Sequence, residues 1–396
     1  MYIHRELKDL IDAYYADGML SRRAAVIYGP RQVGKTTLSK QFIAENQVPS
    51  KVAFYNCDQF EVRRLFAYEN GHRFADIVSG LDLLVLDEAQ RIENIGLVLK
   101  ILVDSFPNLK IIATGSSSFD LSNQINEPMT GRKFEFLLLP FSFNELKSNQ
   151  TLNKIEERAL LERMLVFGSY PIVGLSPSRA APAYLSELVD SYLYKDIFNF
   201  QTLRYPAVLN DLLRLLAFQI GSDVSINELA TQLGIDRESV NRYLYLLEEA
   251  FVIFRLPSFS RNLRKTITKN RKIYFYDLGV RNTIIGNLNP IDQRQDVGQL
   301  WENYCIVERF KHNILNENRA ERYFWRDYNH KEIDYLEVKG NQIITFEFKW
   351  SPSKKGKIPS RFRESYPDAT YKVIHRDNFK AFIQTQHELP DLTADD

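Results

Sequence analysis

Ala24-Ala25-Val26-Ile27-Tyr28-Gly29-Pro30-Arg31-Gln32-Val33-Gly34-Lys35-Thr36-Thr37 runs from a short apolar strand, through a loop bounded by glycines, into a helical pattern. Gly29 to Thr36 fits G-x-x-x-x-G-K-[ST] in that strand–loop–helix context. The glycines let the backbone curl until its N–H groups face phosphate oxygens, and the helix start adds its positive dipole end. Lys35 is then placed for the β and γ phosphates and Thr36 for Mg²⁺. Gly29, Pro30, Arg31, Gln32, Val33, Gly34, Lys35, Thr36 and Thr37 are therefore expected to bind nucleotide. A glycine-rich turn that merely caps a helix is the simpler alternative for this stretch alone.

Fifty residues on, Leu83-Leu84-Val85-Leu86-Asp87-Glu88 is an apolar strand that ends in two carboxylates, a Walker B pattern. Asp87 is expected to hold Mg²⁺, and Glu88 to polarise the attacking water. Acidic pairs after strands also cap helices, but alongside the phosphate loop the pair implies nucleotide hydrolysis. The next strand, Ile111 to Thr114, runs into Gly115-Ser116-Ser117-Ser118, where Ser116 is a candidate sensor of that water. Arg132 is a candidate arginine finger, acting in cis or from a second copy in a homo-oligomer. The NKxD pattern of GTP specificity is missing, which favours ATP.

Strands at 24–28, 52–56, 81–90 and 109–118 alternate with helical stretches, the pattern of a parallel sheet covered on both faces. The fold class is α/β, an AAA-like P-loop domain followed by a helical region and a small α/β domain. At 396 residues the chain is too long for one ordinary domain. Its 51 Lys and Arg nearly balance 50 Asp and Glu, which excludes attachment to nucleic acid or membrane by bulk charge. No apolar run reaches the ~18 residues of a spanning helix, so no membrane partner is expected. Cys57 and Cys305 stand far apart, which argues against a disulfide framework and points to a reducing, cytoplasmic setting.

The segments GPRQVGKTT, LLVLDEAQRI, ATGSSSFDLS and TGRKFEFLLLPFSFNEL resemble the large prokaryotic family of AAA-type ATPases that carry a C-terminal domain of unknown function numbered 4143. FGSYPIVG, YLYKDIF and the later EFK strand fit the same family. The resemblance spans nearly the whole chain. It implies an AAA-like core that uses ATP and Mg²⁺, and a C-terminal half with a winged helix and a restriction-endonuclease-like fold.

The C-terminal half supports this from its own residues. Residues 225–250 read as two helices joined by LGID, with Val240, Leu244 and Leu247 inward and Arg237, Ser239, Asn241 and Arg242 outward as candidate groove contacts. The run 261–272 holds six basic residues and no acid, and Arg264, Lys265, Arg271 and Lys272 are candidate contacts to DNA or RNA. Winged helices also serve as protein-interaction modules, so a protein partner is the alternative. Farther on, Glu347-Phe348-Lys349 places two side chains on one face of a strand. Asp334 on the neighbouring strand and Glu302 on the preceding helix complete a PD-(D/E)xK-like constellation, able to hold Mg²⁺ near a phosphodiester. A salt-bridged strand face is the plainer reading.

Four segments are expected: an ATPase domain (1–148), a helical lid or linker (149–215), a winged-helix-like domain (216–285) and an endonuclease-like domain (286–396). The nucleotide state of the first is expected to control the nucleic-acid or partner binding of the rest. An ATP-gated nuclease and a non-catalytic interaction switch are the alternatives.

Overall fold

The computed structural model describes residues 2–45, 51–115, 129–192, 206–260 and 271–384. The chain divides into two compact units, Met1–Phe141 with Glu249–Phe251, and Ser142–Glu248 with Val252–Asp396. The expected boundaries near 216 and 286 both fall inside the second unit.

The first unit is built on five strands, β1 (Ala24–Tyr28), β2 (Val52–Asn56), β3 (Leu83–Asp87), β4 (Lys110–Gly115) and β5 (Lys133–Leu137), in the order β2-β3-β4-β1-β5. Every pairing is parallel. The central strands are apolar along their length because helices cover both faces, and Ala24 to Ile27 and Leu84 to Leu86 are buried. The helix Ile95–Ser105 buries Ile95, Val98, Leu99, Leu102 and Val103 at helical spacing. Each such side chain contributes about 1.5–3 kcal/mol through burial. Helix Glu6–Ala16 docks through Tyr14, whose ring meets Phe134 and Phe136 of β5 edge-on at 4.9 and 5.4 Å. The strand order decides where chemistry can occur. It inserts β4 between β1 and β3, so the carboxyl ends of all three share one rim.

The second unit opens with helices, among them Lys154–Phe167, Ala181–Tyr192 and Pro206–Phe218. A small antiparallel sheet follows, β6 (Asp223–Val224), β7 (Ile253–Pro257) and β8 (Arg271–Phe275), in the order β6-β8-β7. Between β6 and β7 lie helices Ile226–Leu233 and Arg237–Glu249. Gly234 ends the first helix in the left-handed conformation that favours glycine, and Asp236 accepts from the Ser239 amide at the start of the second.

Helix Val297–Leu315 leads into β9 (Glu321–Arg326), β10 (Glu332–Lys339), β11 (Gln342–Phe348) and β12 (Thr370–Ile374), in the order β12-β11-β10-β9. β9, β10 and β11 are antiparallel, whereas β12 runs parallel to β11 after the helix Ser360–Ser365. Trp301 anchors the long helix by donating its indole N–H to the Ile374 carbonyl at 3.2 Å. The segment after β7 joins the core of the second sheet. The Phe259 amide donates to the Phe324 carbonyl, and its ring packs with Trp325, Ile333, Phe362 and Tyr366. Among the described residues, no helix is long and apolar enough to cross a membrane.

Candidate functional site

At the rim of the first sheet, Gly29 leaves β1 with φ +149°, and a Cβ there would collide with the Leu138 carbonyl. Gly34 follows at φ +98° and caps the helix Lys35–Ala44, whose first turn carries no acid. Glycine suits both positions because side chains rarely adopt this backbone. Pro30 and Val33 are buried, Arg31 is half-buried, and Gln32 and Thr37 are exposed. Lys35 is buried, and its ammonium donates to the carbonyls of Gly29 (2.9 Å) and Pro30 (2.8 Å). The cation thus lies across the mouth of its own loop.

Asp87 closes the rim from β3. One carboxylate oxygen accepts from the Thr36 hydroxyl at 2.8 Å, and the other from the Thr114 hydroxyl at 2.6 Å. Thr36 and Asp87 are the oxygen pair a divalent cation would use, and their direct contact fits that group. Glu88 adopts φ +56°, ψ +43°, a left-handed backbone that costs a non-glycine residue about 1–2 kcal/mol. Strain of this kind collects where a side chain must be aimed. The Glu88 amide donates to the Thr114 oxygen at 3.1 Å, and its carboxylate accepts from Gln90 at 2.6 Å. Burial, then the charge of Asp87, pushes the nearby Cys57 thiol up to about 12, so it stays protonated.

Two residues of this site escape the motif reading. Thr114 is the hydroxyl that touches Asp87, while Ser116 lies outside the described residues. Arg5, buried far from the motif in sequence, donates to the carbonyl of Val33 (3.1 Å) and to that of Leu139. Arg132 requires a correction. Its carbonyl accepts from the Ala24 amide at the start of β1, and its side chain pairs with Asp104 at 2.7 Å. It therefore stands at the rim opposite the phosphate loop, about 16 Å away along a five-residue strand, and a cis finger role does not fit.

In the second unit, β10 and β11 bring Asp334 beside the Glu347-Phe348-Lys349 strand. The pair Tyr335–Phe346 leaves Asp334 and Glu347 next in line, and the Phe348 amide donates to Asp334 at 2.8 Å. The β9–β10 register shifts between Ile333 and Leu336, an irregularity of the kind that re-aims a side chain. Glu302, Glu332 and Asp334 place carboxylate oxygens within 4.8 Å of one another. Burial, then the charges of Glu302 and Glu347, holds the Asp334 carboxyl well above the ordinary range. Lys349 pairs with Glu347 at 2.5 Å. Glu332 is the member that motif reading passed over.

Lys272, expected to be a contact to DNA or RNA, is instead buried on β8. Its ammonium contacts Glu302 at 2.9 Å and Glu332, and Tyr274 donates to Glu302 at 2.6 Å. Burial works against the Lys272 charge, but Glu302 and Glu332 outweigh it and leave the pKa raised. Lys272 is thus not a free contact for nucleic acid. Arg237 and Arg242 are exposed, Arg271 is half-buried, and Arg264 and Lys265 lie outside the described residues. Val240, Leu244 and Leu247 are buried as their spacing predicts.

Residues 21–147 match an AAA domain, 158–290 a domain of unknown function (DUF8612), and 297–390 a domain of unknown function (DUF4143). An uncharacterised protein of Methanocaldococcus jannaschii is 25% identical over 400 residues, covering 96% of this chain and 86% of that protein. One of Mycobacterium tuberculosis is 28% identical over 337 residues, covering 80% of this chain and 69% of the relative. Among solved structures, the Aeropyrum pernix ORC1 protein in complex with DNA aligns with 15% identity and a TM-score of 0.29, over 72% of this chain and 92% of that one. The chain joins an AAA domain to a C-terminal DUF4143 domain.

Proposed function

We propose that the protein is a Mg²⁺-dependent ATPase whose nucleotide state controls a C-terminal unit that binds nucleic acid or a protein partner. The observation that carries the first part is the Asp87 carboxylate held between the hydroxyls of Thr36 and Thr114, beside a strained Glu88. Mg²⁺, bound through Thr36 and Asp87, would neutralise charge on the phosphates. The chain's own residues do the rest. The Gly29–Thr37 backbone cradles phosphate, Lys35 turns from its carbonyl partners to the β and γ phosphates, and Glu88 orients the attacking water. Phosphate release from ATP and Mg²⁺ by the full chain tests this, and Glu88→Gln should bind ATP but lose turnover.

The second part rests on the arrangement helix–β6–helix–helix–β7–β8, which fits a winged helix with Arg237 and Arg242 on the outward face of its second long helix. Nucleic-acid binding should weaken with salt, and neutralising Arg237 and Arg242 should reduce that salt dependence. Binding unaffected by either would favour a protein partner.

The convergence of Glu302, Asp334, Glu347 and Lys349 supports a second reading, an ATP-gated nuclease of the PD-(D/E)xK type. The helix–β9–β10–β11–helix–β12 order fits that fold. Cleavage of DNA or RNA with Mg²⁺ or Mn²⁺, lost in Lys349→Ala, is its test.

A further inference from the structure

The acidic cluster of the second unit already holds a cation, and that cation belongs to the chain. The Lys272 side chain is 2% exposed, and its ammonium contacts both Glu302 and Glu332. These are two of the three residues whose carboxylate oxygens could together ligate a metal ion. The carboxylates come from helix Val297–Leu315 and from β10, whereas Lys272 comes from β8 of the other sheet. Its register opposite Asp223 of β6 and Leu256 of β7 keeps it within that small sheet. Arg326 makes a parallel link, pairing with both Asp223 and Glu332.

Carboxylates so close repel one another where water is excluded, and the Lys272 ammonium offsets part of that repulsion. The Lys272 ammonium sits against one oxygen each of Glu302 and Glu332, and its charge repels a divalent cation approaching the same cluster. We infer that Lys272 acts as a resident counter-ion that excludes divalent cations from the Glu302–Glu332–Asp334 cluster and latches the β6-β8-β7 sheet to the β12-β11-β10-β9 sheet. Entry of a divalent cation and departure of the Lys272 ammonium are then one exchange. The inference depends neither on ATP hydrolysis nor on phosphodiester cleavage.

Mn²⁺ binding to the full-length protein without nucleotide, followed by the electron paramagnetic resonance of free Mn²⁺, tests it. Lys272→Gln should gain a Mn²⁺ site that binds about tenfold tighter or better than any at this cluster in the wild type. Lys272→Arg should stay closed, and the double variant Lys272→Gln, Glu302→Gln should lose the gained site. If Lys272→Gln is poorly folded, its melting temperature should rise with Mn²⁺ more than that of the wild type. Equal Mn²⁺ binding by wild type and Lys272→Gln would overturn the inference. So would a Lys272→Gln protein that neither gains a site nor responds in its melting temperature to Mn²⁺.

Discussion

The Thr114 hydroxyl donates to Asp87 at 2.6 Å, and through it the strand inserted between β1 and β3 touches the residue expected to face the metal. Thr114 is fully buried, and its oxygen also accepts the Glu88 amide. One hydroxyl therefore holds both the Asp87 carboxylate and the Glu88 backbone.

Thr114→Val keeps the shape of the side chain and removes that hydroxyl. A buried hydrogen bond to a charged group contributes about 1.5–3 kcal/mol. If that stabilisation is expressed in the transition state, ATP turnover should fall about tenfold to a hundredfold with a smaller change in KM. Steady-state ATP hydrolysis, with circular dichroism to verify folding, checks this.

Arg5 bonds two carbonyls, Val33 of the phosphate loop and Leu139 beyond β5, and its guanidinium lies 4.7 Å from the Phe141 ring centre. Arg5→Ala should destabilise the protein by about 3 kcal/mol, through the two orphaned carbonyls and the lost packing. It should also weaken ATP binding by loosening the loop. Urea denaturation and nucleotide titration separate the two effects.

Asp296 pairs with Arg281 and Arg294, and these guanidiniums overcome the opposing effect of burial to set its pKa at about 2. Because the folded value lies below that of an unfolded Asp, the ionised carboxylate stabilises the fold above about pH 4. That contribution, about 2 kcal/mol, is lost as pH falls through about 2. Asp296→Asn should be less stable than wild type near neutrality, and the gap should narrow on acidification. Denaturant melts at about pH 6 and about pH 3 measure it.

The features legible in the sequence were those whose parts are contiguous or periodic. The loop from Gly29 to Thr36 and the apolar strand ending in Asp87-Glu88 carry their chemistry in short runs, and Glu347 and Lys349 share a face by the two-residue period of a strand. Thr114 was visible as the end of a strand, but its role depends on β4 lying between β1 and β3, a matter of topology. Arg5 could not be read, because its acceptors lie 28 and 134 residues away. Lys272 misleads for a related reason. Its basic neighbours suggest a contact to DNA or RNA, whereas its partners Glu302 and Glu332 stand 30 and 60 residues downstream.

The most direct test of the central claim is phosphate release from ATP and Mg²⁺ by the full-length protein, wild type against Lys35→Ala. Lys35 is buried across the phosphate loop, within reach of bound phosphates, so its removal should abolish turnover, with circular dichroism verifying that the variant is folded. Turnover in Lys35→Ala equal to that of the wild type would contradict the assignment of Gly29–Thr37 as the catalytic nucleotide site.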